Sequence, residues 1–272
     1  MRSILCVLSV LLVTETAFAE IRECKYFISY IILIKIVNVL LLSAAEIKKC
    51  KAGDHDCIAK TTTDILHKYP QGNPALGLHE LEPLRVDKVV VSEGNEGALS
   101  LKLSLKDLEI FGISKATVIS TSGFAAEAEK TKFEMVVTVP SMKMKGTYNV
   151  DGRILVLPIQ GDGDVNLTLD NVKVSVKIKP EVVKKDGSTY LKSNLNKIKA
   201  LMEPERMTLK LDNLFNGDKA LGDNMNIFLN ENWKDVWGEI SPAVSSAIIK
   251  ILQSLLSEVY EKLPYEEWYE KE

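Results

Sequence analysis

Histidine is scarce in this chain of 272 residues: there are three, His55, His67 and His79. None stands in a catalytic or metal-binding motif. His79-Glu80 is followed by Leu81-Glu82-Pro83, not by the second histidine of a zincin helix. No G-x-S-x-G elbow, phosphate-binding loop or dinucleotide fingerprint occurs. Asp162-Gly163-Asp164-Val165-Asn166 opens like a calcium loop, but Leu167 stands where the loop needs glycine and Lys173 where it needs glutamate. No enzymatic activity, cofactor or metal is therefore expected. A basic excess is missing too. With 34 Lys+Arg against 37 Asp+Glu, the net charge of -3 speaks against a nucleic-acid partner. Four cysteines are too few for a disulfide-dense mini-protein, and a hydrophobic share of 46% is that of a globular chain.

Much of that apolar content lies in the first 45 residues. Residues 1–19 read as a secretory signal: Arg2 in the n-region, an apolar run from Ile4 to Val13, and Ala17-Phe18-Ala19 as the cleavage site. Tyr26 to Ala45 is a second apolar run, about long enough to span a bilayer. Lys35 near its middle costs roughly 2.5–3.5 kcal/mol on insertion. Ala19-Glu20-Ile21-Arg22 is echoed by Ala45-Glu46-Ile47-Lys48, and deleting residues 20–45 joins the cleavage site to Glu46. Residues 20–45 thus admit three readings: a retained intron or gene-model error, a membrane anchor, or an extended signal. Residues 46–272 form the expected single domain, with 34 − 4 = 30 basic and 37 − 3 = 34 acidic residues and a net charge of -4.

Cys6 leaves with the signal and Cys24 lies in the doubtful segment, so the body holds Cys50 and Cys57. An exported chain meets an oxidising compartment, which favours a disulfide between them. A zinc site using His55 lacks a fourth ligand.

Asp54 or Asp56 can cap a helix from about Cys57 to Tyr69, which Pro70-Gln71-Gly72-Asn73-Pro74 ends. From Arg85 to about Asp212 the pattern has period two. Leu99, Leu101, Leu103 and Leu105 alternate with polar residues, as do Phe133 to Val139, Val165 to Leu169 and Val172 to Ile178. Such alternation marks antiparallel strands with one wet face. The phase slips near Asp107 and near Asp170-Asn171, which predicts a bulge or tight bend at each. Asn95-Glu96-Gly97, Asp151-Gly152 and Asp186-Gly187 read as hairpin turns. From about Asp218 to Leu263 the period becomes helical over a stripe from Leu221 to Val259, with Pro242 predicting a break near Gly238–Ser241. A helix of about 45 residues would reach roughly 65 Å. Wrapping it in a strongly curved sheet buries the apolar faces of both.

Three stretches, in order, resemble the insect takeout and juvenile hormone binding protein family. They are Lys49-Cys50-Lys51-Ala52-Gly53-Asp54 with Cys57; Tyr148 with Gly152 through Gly163; and Leu214-Phe215-Asn216-Gly217-Asp218 leading to Asn226 and Phe228-Leu229-Asn230-Glu231-Asn232-Trp233. The likeness runs from Ile47 to Trp268, and residues 20–45 fall outside the family pattern. It implies an α+β fold of tubular lipid-binding, super-roll type, in which a highly curved antiparallel sheet wraps a long C-terminal helix around a hydrophobic tunnel.

The expected function is that of a secreted carrier of a small hydrophobic ligand, such as a juvenile hormone-like terpenoid, a fatty acid derivative or an isoprenoid. The candidate lining comprises Phe133, Met135, Val137, Met142, Met144, Phe228, Trp233, Trp237, Ile240 and Val244; the plain alternative is that these form solid core. The helix after Cys50 is a candidate gate. Asn166 opens the N-glycosylation sequon Asn166-Leu167-Thr168. A membrane-interacting or anchored lipid-transfer protein is the second reading, but the negative charge disfavours anionic lipid, and no stable membrane association is expected unless residues 20–45 persist. The oligomeric state is left open.

Overall fold

Helix α1, His55–Lys68, begins where Asp54 accepts the Cys57 N–H at 3.0 Å, so Asp54 rather than Asp56 is its cap. The expected disulfide joins Cys50 to Cys57. α1 packs on strand β3, Thr117–Ser122, where the Thr63 hydroxyl accepts the Val118 N–H and the Thr121 hydroxyl donates to the His55 carbonyl. The computed structural model describes residues 47–74, 77–93 and 101–270. The signal and apolar segments, and the turn at Asn95-Glu96-Gly97, lie outside them.

The other strands are β1 (Leu84–Glu93), β2 (Leu101–Phe111), β4 (Phe133–Ile154), β5 (Leu157–Ile178), β6 (Glu181–Lys185), β7 (Ser188–Lys192), β8 (Ile198–Glu203) and β9 (Arg206–Leu211). Seven form one antiparallel sheet in the order β1-β2-β4-β5-β8, with β3 also on β4 and β9 also on β5. β6 and β7 form a separate hairpin through Asp186-Gly187, as the sequence predicts. Asp151-Gly152 is not a turn. It pairs with Gln160 and Ile159 inside the β4–β5 ladder, which runs on to Ile154↔Leu157. The chain reverses instead at Leu155-Val156, with Leu155 at φ 54 and its N–H held 2.6 Å from a Glu239 carboxylate oxygen.

Both predicted phase slips are real. At Asp107 (φ 49) the β2–β4 register shifts, which is a bulge. At Asn171 (φ 46) the β4–β5 register is unbroken, yet the buried set changes parity on both strands. Val139 and Val172 face inward on one side; Met142 and Leu169 do so on the other. A crease runs across the sheet here, from the β2–β3 turn through Pro140-Ser141 and Asp170-Asn171 to Pro204-Glu205 between β8 and β9. Side chains stitch it: Ser141 donates to Asp170, and the Asn171 amide to Glu205. The backbones approach so closely that a Cβ on Gly112 (φ 99) would lie 2.1 Å from the Ser141 carbonyl oxygen.

The long C-terminal helix is two: α2, Lys219–Glu231, and α3, Trp233–Lys262. The break falls at Asn232, not near Pro242. The amides of Asn226 and Asn230 grip the edge of β9, each donating to and accepting from one backbone residue, Leu211 and Leu209 respectively. This ties α2 to the sheet edge, while Asn232 turns its side-chain amide back onto the Phe228 carbonyl. Pro242 is absorbed within α3: it cannot donate to the Gly238 carbonyl, and the Ser241 hydroxyl donates there instead, at 3.4 Å.

Among the described residues α3 is the one helix long and apolar enough to cross a membrane. Here it packs against β1 at one sheet edge and against β8 and β9 at the other. A sheet whose two edges touch one helix must curl around it. From Lys49 onward the described residues form one compact unit. Its main core lies between sheet and helices. A second, aromatic cluster of Phe133, Tyr260 and Tyr265, with Phe124, Trp268 and Tyr269, surrounds the C-terminal end of α3.

Candidate ligand cavity

The larger part of the sheet, on the hairpin side of the crease, does not close fully onto the helices. A cavity of about 110 Å³ remains. Strand alternation supplies its walls: Leu101, Leu103, Leu105 and Leu108 from β2, Met144, Tyr148, Val150 and Ile154 from β4, and Ile159, Val165 and Leu167 from β5. Val91 and the β9 residues Met207, Leu209 and Leu211 complete the sheet side. Leu229 of α2 and Val236, Ile240 and Val244 of α3 form the helix side.

No charged group lines this space, and its one hydroxyl is engaged: Tyr148 donates to the Asp212 carbonyl at 2.8 Å. Burial, reinforced by the charges of Asp162 and Asp212, pushes the Tyr148 phenol up to about 12. A water needs roughly 10–15 Å³ and two or more polar partners, so this cavity has room for water but nothing to hold it. A polar ligand would lose its hydration without recovering hydrogen bonds, whereas an apolar one loses little. The arrangement is suited to apolar binding.

The two central sequence signatures meet beside the cavity. A Cβ on Gly163 would lie 2.4 Å from the Asp212 carbonyl oxygen, and Gly161 bridges to the buried Leu214. The glycines of Gly161-Asp162-Gly163 let the Asp212–Leu214 turn lie directly on β5 and direct the chain into α2.

Of the ten expected lining residues, Met144, Ile240 and Val244 face the cavity. Val137, Phe228 and Trp237 are half-buried against the main core without lining it. Met142 and Trp233 are buried in that core, and Arg206 lies over the Trp233 ring. Met135 is half-buried opposite Val176, beyond the crease. Phe133 is in the aromatic cluster, 4.6 Å from Phe124 and stacked 5.7 Å from Trp268 between ring centroids. The parity change at Pro140 and Asn171 separates Phe133–Val139 from the cavity. The β2 leucines, whose alternation is plain in the sequence, and Ile154 and Ile159 of the hairpin were the better guides. No α1 residue lines the cavity, although Leu66 of α1 packs against the main core.

Asn166 is exposed on β5. A separate open groove of about 620 Å³ lies between β9 and α2, bordered by Arg206, Lys210, Asn226, Ile227 and Glu231. Among the described residues no cluster of His, Cys, Asp or Glu is able to hold a metal ion.

A curled antiparallel sheet around a long helix, with an apolar cavity between them, defines an α+β protein of the tubular lipid-binding type. The crystal structure of Takeout 1 from Epiphyas postvittana superimposes with a TM-score of 0.68 at 27% identity, covering 82% of this chain and 99% of that one. The circadian clock-controlled protein daywake of Drosophila melanogaster is 28% identical over 232 residues, 84% of this chain and 88% of that protein; its Drosophila yakuba counterpart is 26% identical over the same length. The family model described as haemolymph juvenile hormone binding protein (JHBP) matches residues 31–270, so it takes in residues 31–45, which the sequence reading sets outside the family pattern. The chain belongs to this family, whose description is that of a hydrophobic-ligand binder.

Proposed function

We propose that this protein is a secreted carrier that shelters a small hydrophobic ligand, a terpenoid, isoprenoid or fatty acid derivative, in the cavity between α3 and the sheet. One observation carries the reading: a wholly apolar, partly open cavity walled by β2, β4, β5, β9 and both C-terminal helices. The driving force is apolar burial. A ligand hiding about 400 Å² gains roughly 10 kcal/mol gross at 25 cal/mol per Å², and because it is larger than the 110 Å³ now open, the sheet must move off α3 to admit it. Association and ordering costs reduce this to an affinity on the order of micromolar to nanomolar.

Secretion fits the apparent signal at residues 1–19 and the Cys50–Cys57 disulfide. In this reading the mature carrier begins near Glu46, and residues 20–45 are absent from it. Sequencing the mature N-terminus tests this part; tryptic peptides from Tyr26–Lys35 in secreted protein would overturn it. The ligand itself is tested by native mass spectrometry of protein purified from its source, with extraction of the bound lipid. A stoichiometric apolar adduct of a few hundred daltons is the expected result. Protein that arrives empty and fails to bind a fluorescent apolar probe would sink the proposal, and recovery with the membrane fraction would favour a lipid-transfer role.

A further inference from the structure

The cavity ends beneath the β4–β5 hairpin tip. Ile154 and Ile159, on either side of the turn, line it, as does Ile240 of α3. The tip is apolar, with Val156 83% exposed and Leu155 turned back onto the core. Leu155 adopts a left-handed conformation that a leucine rarely takes. Its N–H is held by the carboxylate of Glu239, a half-buried residue immediately before Ile240. Glu239 does not line the cavity itself. It adjoins one lining residue, Ile240, and the Leu155 that it holds adjoins another, Ile154.

A ligand with a polar end has few places to put it. The cavity walls offer no free hydrogen-bonding group, so the polar end must sit at a rim. Among the described residues, the groups at the hairpin rim are the Leu155 amide and the Glu239 carboxylate that now occupies it. A neutral oxygen, as in an alcohol, ester or ketone, can share or take that amide. A carboxylate meets the carboxylate of half-buried Glu239, which has no ion-pair partner among the described residues. Arg153, the nearest cation along the strand, is exposed, and strand alternation sets it on the face opposite Ile154.

Resting on the carrier reading, we infer that Glu239 determines ligand class at this site: it admits apolar ligands with a neutral polar end and turns away free carboxylic acids. A matched pair of probes tests this. Dodecan-1-ol and dodecanoate, at pH 8, are titrated against protein loaded with 1-N-phenylnaphthylamine. Like charges within a few ångströms at a partly buried rim predict that the alcohol displaces the dye about tenfold or more better than the acid. Glu239→Gln retains an acceptor for the Leu155 N–H and removes the charge, so the preference falls several-fold. Glu239→Lys places a cation at the rim and reverses it. Wild-type preference for the acid, or a ratio that Gln and Lys both leave within twofold, overturns the inference while the carrier reading stands. If neither compound displaces the dye and the dye itself does not bind, the carrier reading fails and this inference with it.

Discussion

Val244→Phe distinguishes a hollow interior from a solid one by the sign of its effect. Val244 of α3 lines the cavity. At about 24 cal/mol per Å³, an unfilled space of 110 Å³ costs the empty protein roughly 2.6 kcal/mol. A phenyl ring in place of two methyl groups fills about half of it and recovers about 1–1.5 kcal/mol. In a domain of this size that raises Tm by roughly 2–6 °C. The same substitution in close-packed core strains rotamers and backbone and costs about 1–3 kcal/mol. The variant therefore becomes more stable if the space is real and less stable if it is not. Thermal unfolding by circular dichroism gives the sign, and 1-N-phenylnaphthylamine fluorescence gives the second readout, because the filled cavity must bind the dye more weakly. A Tm several degrees lower with dye affinity unchanged would refute the hollow interior.

Three further outcomes follow from the packing. Replacing Cys50 and Cys57 together by serine releases a short loop and lowers stability by about 2–3 kcal/mol, read as a lower urea midpoint; dye affinity stays unchanged because α1 does not touch the cavity. Asn226→Ala and Asn230→Ala each strip two hydrogen bonds from the β9 backbone, costing about 1–3 kcal/mol apiece in urea unfolding. The Tyr148 phenol has a folded pKa raised to about 12 from the usual 10, so its neutral form is favoured by folding. That contribution is complete below pH 10 and is lost as pH rises from 10 through 12. Stability should fall across that interval, and Tyr148→Phe should make the fall shallower.

Period-two alternation exposes the strands of this fold because each has one wet face. Even the crease is legible, since a change of parity at Asn171 is visible as two adjacent positions that break the alternation. Its consequence is not legible, because sequence shows that the apolar set changes phase but not which half of the sheet closes tightly on the helix. The expected lining residues Met142 and Phe133 lie on opposite sides of the crease. The reversal at Leu155-Val156 carries none of the usual turn residues; it depends on Glu239, which is 84 positions away. The helix break at Asn232 is likewise a tertiary effect. Proline is the strongest local breaker, but Ser241 satisfies the carbonyl that Pro242 leaves, while the grip of Asn226 and Asn230 on β9 holds α2 on its own course.

Phe133 shows how these halves divide the work. It lies eleven positions from Met144 on β4, so unbroken alternation would set the two on opposite faces; the parity change at the crease turns both inward, but onto different partners. Met144 faces the cavity, whereas Phe133 is packed among Phe124, Trp268 and the buried Tyr260 and Tyr265. Tyr265 also hydrogen-bonds to Thr131, to the Ala125 carbonyl and to Tyr269, so this end is both apolar and pinned by polar contacts. Truncating an aromatic ring in such a setting costs about 3–5 kcal/mol, lost contacts and residual void combined. Phe133→Ala should therefore lower Tm by roughly ten degrees or more. Below the new transition it should bind the dye as the wild type does. Met144→Ala should do the opposite, costing less stability than a fully packed methionine because its neighbour is already a void, and changing dye affinity. If Phe133→Ala weakens dye binding at temperatures where it is fully folded, the aromatic end is part of the ligand's path and not its wall.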